Sequence, residues 1–252
     1  MGFSDFQRFE QRERAILMGL FLSKFDRMAL EFMEFHGFKE AFNKLGYSIG
    51  IPPASIKNYR DEFDRFFPNP RKGWTHPLRD NCREVMEKAK DLSFEDFCFL
   101  IKSFLWDKYI DVKDMKYSRG KPQERQFMNR LLTGKAAEEY FVMNYSNIPI
   151  FQNYILTDTT SMGCGFDYKL SLEDRNFYVE VKGLNEKHGG ILMTEKEFGM
   201  AEDLQEKFCL FIVSNFIEKP QHQMFFNPVH NKELDFTRKE QQILQISYSA
   251  TI

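Results

Sequence analysis

The chain has 252 residues, of which 42% are hydrophobic and 29% are charged. This composition is typical of a globular protein with one large or two small cores, and it excludes a disulfide-rich mini-protein, a collagen-like chain and an extended disordered chain. The 35 basic and 37 acidic residues give a formal net charge of −2, so total charge alone does not indicate a polyanionic partner.

The sequence carries none of the signals of secretion or membrane insertion. Its four cysteines are widely separated, its N-terminal residues include charges every few positions, and no apolar stretch is long enough to span a bilayer. We therefore predict a reduced, cytoplasmic protein with no signal peptide and no membrane contact. No P-loop is present, so no nucleotide cofactor is predicted.

The first third of the chain has helical periodicity. Apolar residues across 6–35 recur at helical spacing and predict one long amphipathic helix or a pair. A short helix over 39–45 is predicted to break at 46–50. A further helix is predicted to begin behind Pro52 and Pro53, because proline suits a first helical turn. We therefore predict a helix-turn-helix-like element in an N-terminal α-helical domain.

The second helix of this element has two distinct faces. Its inward face is predicted to consist of Ile56, Tyr59, Phe63 and Phe66, which leaves outside the polar residues Ser55, Lys57, Asn58, Arg60 and Arg65. In a helix-turn-helix, such N-terminal polar residues contact base edges in the major groove. An ordinary helical corner is an equal alternative, because the nearby Asp61, Glu62 and Asp64 would repel phosphate.

Two basic segments follow, and they favour contact with phosphate. Segment 65–90 has a net charge of +4 and segment 113–135 a net charge of +5. The candidate DNA contacts in these segments are Arg71, Lys72, Trp74, Arg119 and Lys121. Gly120 and Pro122 interrupt the second segment, so we predict a boundary there between domains 1–120 and 121–252.

After Thr133 the pattern changes to α/β. A helix is followed by runs of β-branched and aromatic residues, and we predict strands over FQNYILTD, GFDYKLSL, NFYVEVKG and FCLFIVSNF, with weaker ones near HQMFFNPV and LQISYSA. A helix over TEKEFGMAEDLQEK precedes the fourth strand. The fold class is therefore an N-terminal all-α domain followed by a mixed β-sheet flanked by helices.

The hairpin GFDYKLSLEDRNFYVEVKG carries the candidate chemistry. Its predicted turn lies at 173–176, and alternation places Phe166, Tyr168, Leu170, Phe177, Val179 and Val181 on one apolar face. If the hairpin is centred between Glu173 and Asp174, Asp167 faces Glu180. Two facing carboxylates repel and need a cation, and Mg²⁺ accepts carboxylate oxygens. Lys182 points to the same side, where it can orient the attacking water.

These residues resemble the PD-(D/E)XK nuclease superfamily, and more closely the branch with the No Vein C-terminal-like domain. The resemblance rests on Asp167, on Glu180-Val181-Lys182, on the upstream Gly134-x-x-x-Glu138 and on the downstream Thr194-x-x-Glu197. It implies a restriction-endonuclease-like fold. It also implies metal binding by Asp167, Glu180, Val181 and Glu138, and catalysis by Asp167, Glu180, Lys182 and Glu138. The residue before Asp167 is Phe166, where the family name expects proline.

Several alternatives stay open in the sequence. Glu139 could replace Glu138, and Glu197 could lie near the site or be a surface charge. Lys169 and Lys182 could be simple ion-pair partners of the acids. His188, in a glycine-containing loop, could touch DNA or be part of a plain connection.

The predicted function combines DNA recognition with cleavage. We expect an endonuclease that uses Mg²⁺, with Mn²⁺ as a substitute, on double-stranded DNA, most simply a Type II restriction enzyme acting as a homodimer. The alternatives are a DNA-binding regulator with a catalytically silent nuclease fold, and a modification-dependent or repair nuclease.

Overall fold

The structure is a computed structural model that describes residues 9–105 and 122–240, with the backbone alone at 122–125. In the first described range the elements are helices, and in the second they are two helices and a five-stranded sheet. The helices are α1 (Gln11–Met33), α2 (Phe38–Ser48), α3 (Pro53–Phe63), α4 (Asp80–Ala89), α5 (Phe94–Leu105), α6 (Pro122–Asn144) and α7 (Glu195–Leu204).

The N-terminal helices enclose an aromatic core. The long helix or pair of helices predicted over 6–35 is present as α1, in which two helical segments meet at a kink where Asp26 has φ of 46°. Phe21, fully buried in α1, packs against Phe25 and against Phe94 and Phe97 of α5, with ring centroids 5.6–6.2 Å apart. Stacked and tilted ring pairs of this kind stabilise a core beyond the area they bury.

The predicted helix, tight turn and helix are present as α2 and α3. Gly50 in the turn has φ of +66°, a backbone conformation that residues with a side chain rarely adopt. The predicted inward face of α3 is confirmed for Ile56, Tyr59 and Phe63, which are buried. It is wrong for Phe66, which is 42% exposed because α3 ends at Phe63 and a short 3₁₀ turn changes the direction of the chain.

The sheet confirms the predicted mixed α/β architecture. Its strands are β1 (Ile155–Asp158), β2 (Tyr168–Leu172), β3 (Arg175–Gly183), β4 (Phe208–Ser214) and β5 (Gln221–Phe226). Neighbours follow chain order, and the β3–β4 pair alone is parallel among these described strands. A parallel pair needs a crossover, which here contains α7. The predicted strand over LQISYSA lies outside the described residues.

The β2–β3 hairpin has the predicted register. Tyr168 pairs with Val179 and Leu170 with Phe177, as a hairpin centred between Glu173 and Asp174 requires. The turn is shorter than the predicted 173–176, because Arg175 already pairs with Leu172. Phe166 was wrongly placed on the apolar face of Tyr168. It packs instead against Tyr178, with ring centroids 4.9 Å apart, in the core under α7. The alternation of side chains between the two faces does not extend to Phe166, because β2 begins only at Tyr168.

Helix α6 contributes to both halves of the described chain. Leu132 packs in the core of the N-terminal helices, whereas Ala136 and Phe141 pack in the core of the sheet. The approach to β3 is close: a Cβ at Gly183 would lie 2.6 Å from the carbonyl oxygen of Thr133. The division into domains 1–120 and 121–252 stays a prediction. No described helix is long and apolar enough to cross a bilayer.

Candidate active site

Asp167 is fixed by backbone contacts with two residues of β3. Its amide donates to the carbonyl oxygen of Val179 at 2.9 Å, and its carboxylate Oδ2 accepts from the amide of Val181 at 2.8 Å. These two bonds hold Asp167 next to the intervening Glu180, as the register predicts. Burial raises the pKa of Asp167, although the Val181 N–H and the Lys182 charge oppose the rise.

Glu180 lies in the middle of β3 and is only 3% exposed. Burial and the neighbouring Asp167 charge raise the pKa of Glu180 well above its ordinary value. Lys182 Nζ lies 2.6 Å from Glu180 Oε1. The two carboxyl groups therefore share a site with one ammonium group.

Lys182 has a second carboxylate partner in α7. Its Nζ lies 2.7 Å from Glu197 Oε2, so the ammonium bridges the hairpin and the helix. Burial opposes its charge, but Glu180 and Glu197 more than offset this and raise the pKa of Lys182. Lys182 therefore forms the ion pairs with acids that the sequence left open. The other lysine considered, Lys169, has its Nζ 5.9 Å from the centre of the Tyr178 ring.

Glu138 reaches the same site from α6. Burial and the Asp167 charge raise the pKa of Glu138 to about 7. The Glu139 carboxylate lies elsewhere, because its Oε2 would be 3.4 Å from a Cβ placed on Gly50 in the α2–α3 turn. Of the two adjacent acids, Glu138 is therefore the one that the structure brings toward Asp167 and Glu139 the one that it brings toward the helix-turn-helix-like element.

Residues 138–226 match the family model described as Protein NO VEIN, C-terminal. This domain is PD-(D/E)XK-like and has a restriction-endonuclease-like fold. The match confirms the resemblance predicted from the sequence, and it covers the segment from Glu138 on α6 to the end of β5. No curated protein and no solved structure matches the chain.

The donor set in the segment that matches this family model fits a hard metal ion. Asp167, Glu180 and Glu138 offer carboxylate oxygens, and the pKa of each is raised first by burial and then by neighbouring acids. Among the described residues no three His, Cys, Asp or Glu side chains are grouped to hold a metal ion. Mg²⁺ in particular is held by one or two carboxylates with waters and substrate phosphates, so a pair of ligands suffices.

Val181, predicted as a metal-binding residue, contributes a backbone contact. Its amide orients the Asp167 carboxylate, as described above. Metal binding by Val181 stays a prediction.

The sequence analysis did not identify Asp158 as a site residue, and it left Glu197 open between a place near the site and a surface charge. Asp158 ends β1, and its charge raises the pKa of both Asp167 and Glu138. The sequence signal that could have identified Asp158 was its place at the end of a predicted strand. In the structure this strand is β1, which pairs with β2 and sets Asp158 opposite Tyr168. For Glu197 the signal was the Thr-x-x-Glu capping box that begins α7.

Arg60, predicted as an outward DNA contact, is buried. Its guanidinium lies 2.5 Å from Asp61 and 3.5 Å from Asp64, and it stacks over the rings of Phe38 and Phe42. These partners compensate for the loss of water around the charge. The prediction of an outward Arg60 is therefore wrong.

Arg71 is also engaged within the fold. It forms hydrogen bonds with both carboxylate oxygens of Asp64, at 2.7 and 2.9 Å, and with Asp26 at the kink of α1. Asp64 is itself held by the Ser23 hydroxyl at 2.8 Å. Arg71 thus connects a loop to α1 and to the 3₁₀ turn that follows α3, and its guanidinium is held by these two acids.

Replacing Arg71 by alanine is expected to destabilise the protein by about 3 kcal/mol, because the buried Asp64 would lose the guanidinium that binds both of its carboxylate oxygens and would keep only Ser23 and the more distant Arg60. The neighbouring Lys72 is exposed, so Lys72→Ala is the matched control and should change stability by less than about 0.5 kcal/mol. Urea unfolding of the two variants checks this. Equal stabilities would contradict the structural role of Arg71.

The other candidate DNA contacts differ in exposure. Lys57, Asn58, Lys72, Trp74 and His188 are exposed and Ser55 is half-buried, while Arg119 and Lys121 lie outside the described residues. Lys57 lies 2.7 Å from Asp61, a pair on the surface that water screens. DNA binding by all of these residues stays a prediction.

Proposed function

We propose that this chain is a Mg²⁺-dependent endonuclease that hydrolyses phosphodiester bonds in double-stranded DNA. The observation that carries the proposal is the buried grouping of Asp167, Glu180 and Lys182 on one hairpin, in a domain with a nuclease-like fold. Burying two acids together is costly unless a cation or a proton compensates them. Such a cost is typical of a functional site.

Each side chain then has a distinct role in cleavage. Asp167 and Glu180 would hold the metal ion, and Glu138 would complete its ligand set when ionised. The ion, when bound, would polarise the phosphate and acidify water. Lys182 would orient the attacking water and stabilise the negative charge that develops on the phosphate oxygens. The fixed position of Asp167 between the Val179 and Val181 bonds favours a site that is ordered before substrate binds.

A Type II restriction enzyme acting as a homodimer is the specific form that we propose. The proposed site contains one set of catalytic residues per chain, and a double-strand break needs two. A two-fold symmetric dimer would match a palindromic recognition sequence. Recognition and cleavage would then reside in one chain without a nucleotide cofactor.

The DNA contacts that we propose combine the exposed start of α3 with the neighbouring loop. The exposed candidates are Lys57, Asn58, Lys72 and Trp74, and Trp74 is tied to α3 because its amide donates to the carbonyl oxygen of Asp61 at 3.0 Å. Lysines would contact phosphates, and Asn58 could reach base edges. The N-terminal helices would thus supply recognition, with α6 connecting them to the sheet.

Replacing Lys57, Asn58 and Trp74 together by alanine is expected to weaken DNA binding at least about tenfold, since every phosphate contact also releases counterions. Electrophoretic mobility shift at several salt concentrations, with EDTA present to prevent cleavage, measures both the affinity and its salt dependence. Lys207→Ala, an exposed change in the 3₁₀ turn that follows α7, is the control. Unchanged affinity in the triple variant would contradict this DNA surface.

A catalytically silent nuclease fold that binds DNA is the second candidate. It is favoured by the ion pairs of Lys182 with both Glu180 and Glu197, which satisfy its charge without a metal ion. Such a protein would act as a regulator or an interaction module.

Incubation with methylated and unmethylated plasmid DNA and Mg²⁺, with EDTA controls, separates these functions. Discrete fragments from unmethylated DNA are expected for the restriction enzyme. Fragments from methylated DNA alone indicate a modification-dependent nuclease, and a smear indicates a repair-type nuclease. Retarded intact DNA supports the silent binder and contradicts the proposal.

A further inference from the structure

We propose that Glu197 is a positioning residue of the catalytic centre, whose carboxylate holds the Lys182 ammonium in place from α7 while Glu180 binds the metal ion. The proposal rests on the nuclease function for its catalytic consequence. It assigns a role to the helix that crosses over between β3 and β4, beyond the roles of the hairpin and of α6.

Glu197 is itself held in a fixed orientation. The Thr194 amide donates to Glu197 Oε2 at 2.9 Å, and the Glu197 amide donates to Thr194 Oγ1 at 3.2 Å. This reciprocal capping box fixes the first turn of α7. The same Oε2 accepts from Lys182 Nζ, so Lys182 is tied to a carboxylate that has little freedom to move.

Glu180 and Glu197 share the ammonium but differ in what else they would do. Both lie within 2.7 Å of Lys182 Nζ. A carboxylate oxygen bound to a metal ion carries less charge available to an ammonium group, and the ion repels that group. Glu197 has no such second role, so it would hold Lys182 when Glu180 turns to the metal ion.

Helix α7 also contacts the segment that leads to Asp167. Gly165 has φ of +90°, and a Cβ there would lie 2.7 Å from Met200 Cγ and 3.1 Å from the carbonyl oxygen of Lys196. The backbone two residues before Asp167 thus packs directly on α7. One helix therefore supports both Lys182 and the approach to Asp167, which favours a positioning role over that of a surface charge.

Glu197→Gln tests the role of the charge, because glutamine keeps the length of the side chain and an oxygen for the capping box. With supercoiled plasmid DNA and Mg²⁺, kcat should fall by about 10- to 100-fold with KM for DNA nearly unchanged. Glu195→Gln, an exposed change in the same helical turn, is the matched control. In a Lys182→Met background, Glu197→Gln should cause no further loss. An equal loss in both backgrounds would overturn the proposal.

A second measurement does not depend on cleavage. Two-dimensional ¹⁵N NMR of lysine ammonium groups at fixed pH, with the Lys182 signal assigned through Lys182→Met, reports the hydrogen bonds of that group. The Lys182 signal should shift or broaden in Glu197→Gln and stay in place in Glu195→Gln. An unchanged signal in Glu197→Gln would overturn the proposal even if the wild-type protein cuts DNA. If the wild-type protein cuts no DNA, the nuclease function fails, and the NMR result alone decides whether Glu197 holds Lys182.

Discussion

Lys182→Met is expected to lower the rate of plasmid cleavage by about 10²–10³-fold, because the negative charge that develops on the phosphate would lose its ammonium partner. Binding of DNA in EDTA should stay within about twofold of wild type, since Lys182 is largely buried and the proposed recognition surface lies on other helices. Single-turnover digestion and mobility shift measure the two effects separately.

Lys169→Met is the matched control for this change. Lys169 lies on the same hairpin, where it pairs with Tyr178 across the strands, but it is not among the residues that we place in the catalytic centre. Cleavage by this variant should stay close to wild type. Full plasmid cutting by Lys182→Met, or an equal loss in both variants, would contradict the assigned role of Lys182.

Glu138→Gln is expected to stabilise the metal-free protein at pH 8 by up to about 3 kcal/mol. The folded state raises the pKa of Glu138 to about 7, from an ordinary value of 4.5. The stability that this group contributes is therefore complete below pH 4.5 and is lost as the pH rises through 7. Above that pH the wild-type protein carries a buried charge that glutamine does not.

Urea unfolding in EDTA at pH 4.5 and pH 8 measures this effect. The gain from Glu138→Gln should appear at pH 8 and disappear at pH 4.5, while the exposed Glu195→Gln should show no such pH dependence. Mg²⁺ should reduce the gain, because a bound cation compensates the charge of the wild-type site. An equal change in unfolding free energy at both pH values would contradict the claim that the charge of Glu138 is unfavourable in the folded protein.

The hairpin was predictable because its side chains alternate with a period of two. A shift of one residue would have exchanged every inward and outward side chain, and so Tyr168, Leu170 and Val179 determine the register. The neighbouring positions of Asp167 and Glu180 follow from that register. Phe166 did not follow, because it precedes β2 and the alternation applies only within paired strands.

The basic residues of the N-terminal helices were harder to place. Arg60 and Lys57 both read as polar positions on α3, but Arg60 meets the rings of Phe38 and Phe42 on α2. A sequence pattern describes one helix at a time, whereas the burial of an arginine depends on acids and aromatic rings that other elements bring to it. The same reason applies to Arg71, which binds Asp26 of α1.

Contacts between distant elements also decided what the sequence left open at the site. Glu138 and Glu139 are adjacent on α6, and only the packing of this helix between the sheet and the α2–α3 turn separates their roles. Glu197 was visible as a helix cap, but its distance to Lys182 depends on the crossover between β3 and β4. Long-range packing of this kind has no local sequence signal.

The largely buried carboxylates of this hairpin are proposed to form a metal-dependent DNA-cleaving centre. Parallel digestion of supercoiled plasmid by wild-type protein and by Asp167→Asn, each with Mg²⁺ or EDTA, tests it most directly. Asparagine can still accept the Val181 hydrogen bond, so the fold should be kept while the charge is lost. We predict cleavage by the wild-type protein with Mg²⁺ and in no other lane. Cleavage by Asp167→Asn at the wild-type rate, or intact plasmid in every lane, would contradict the claim.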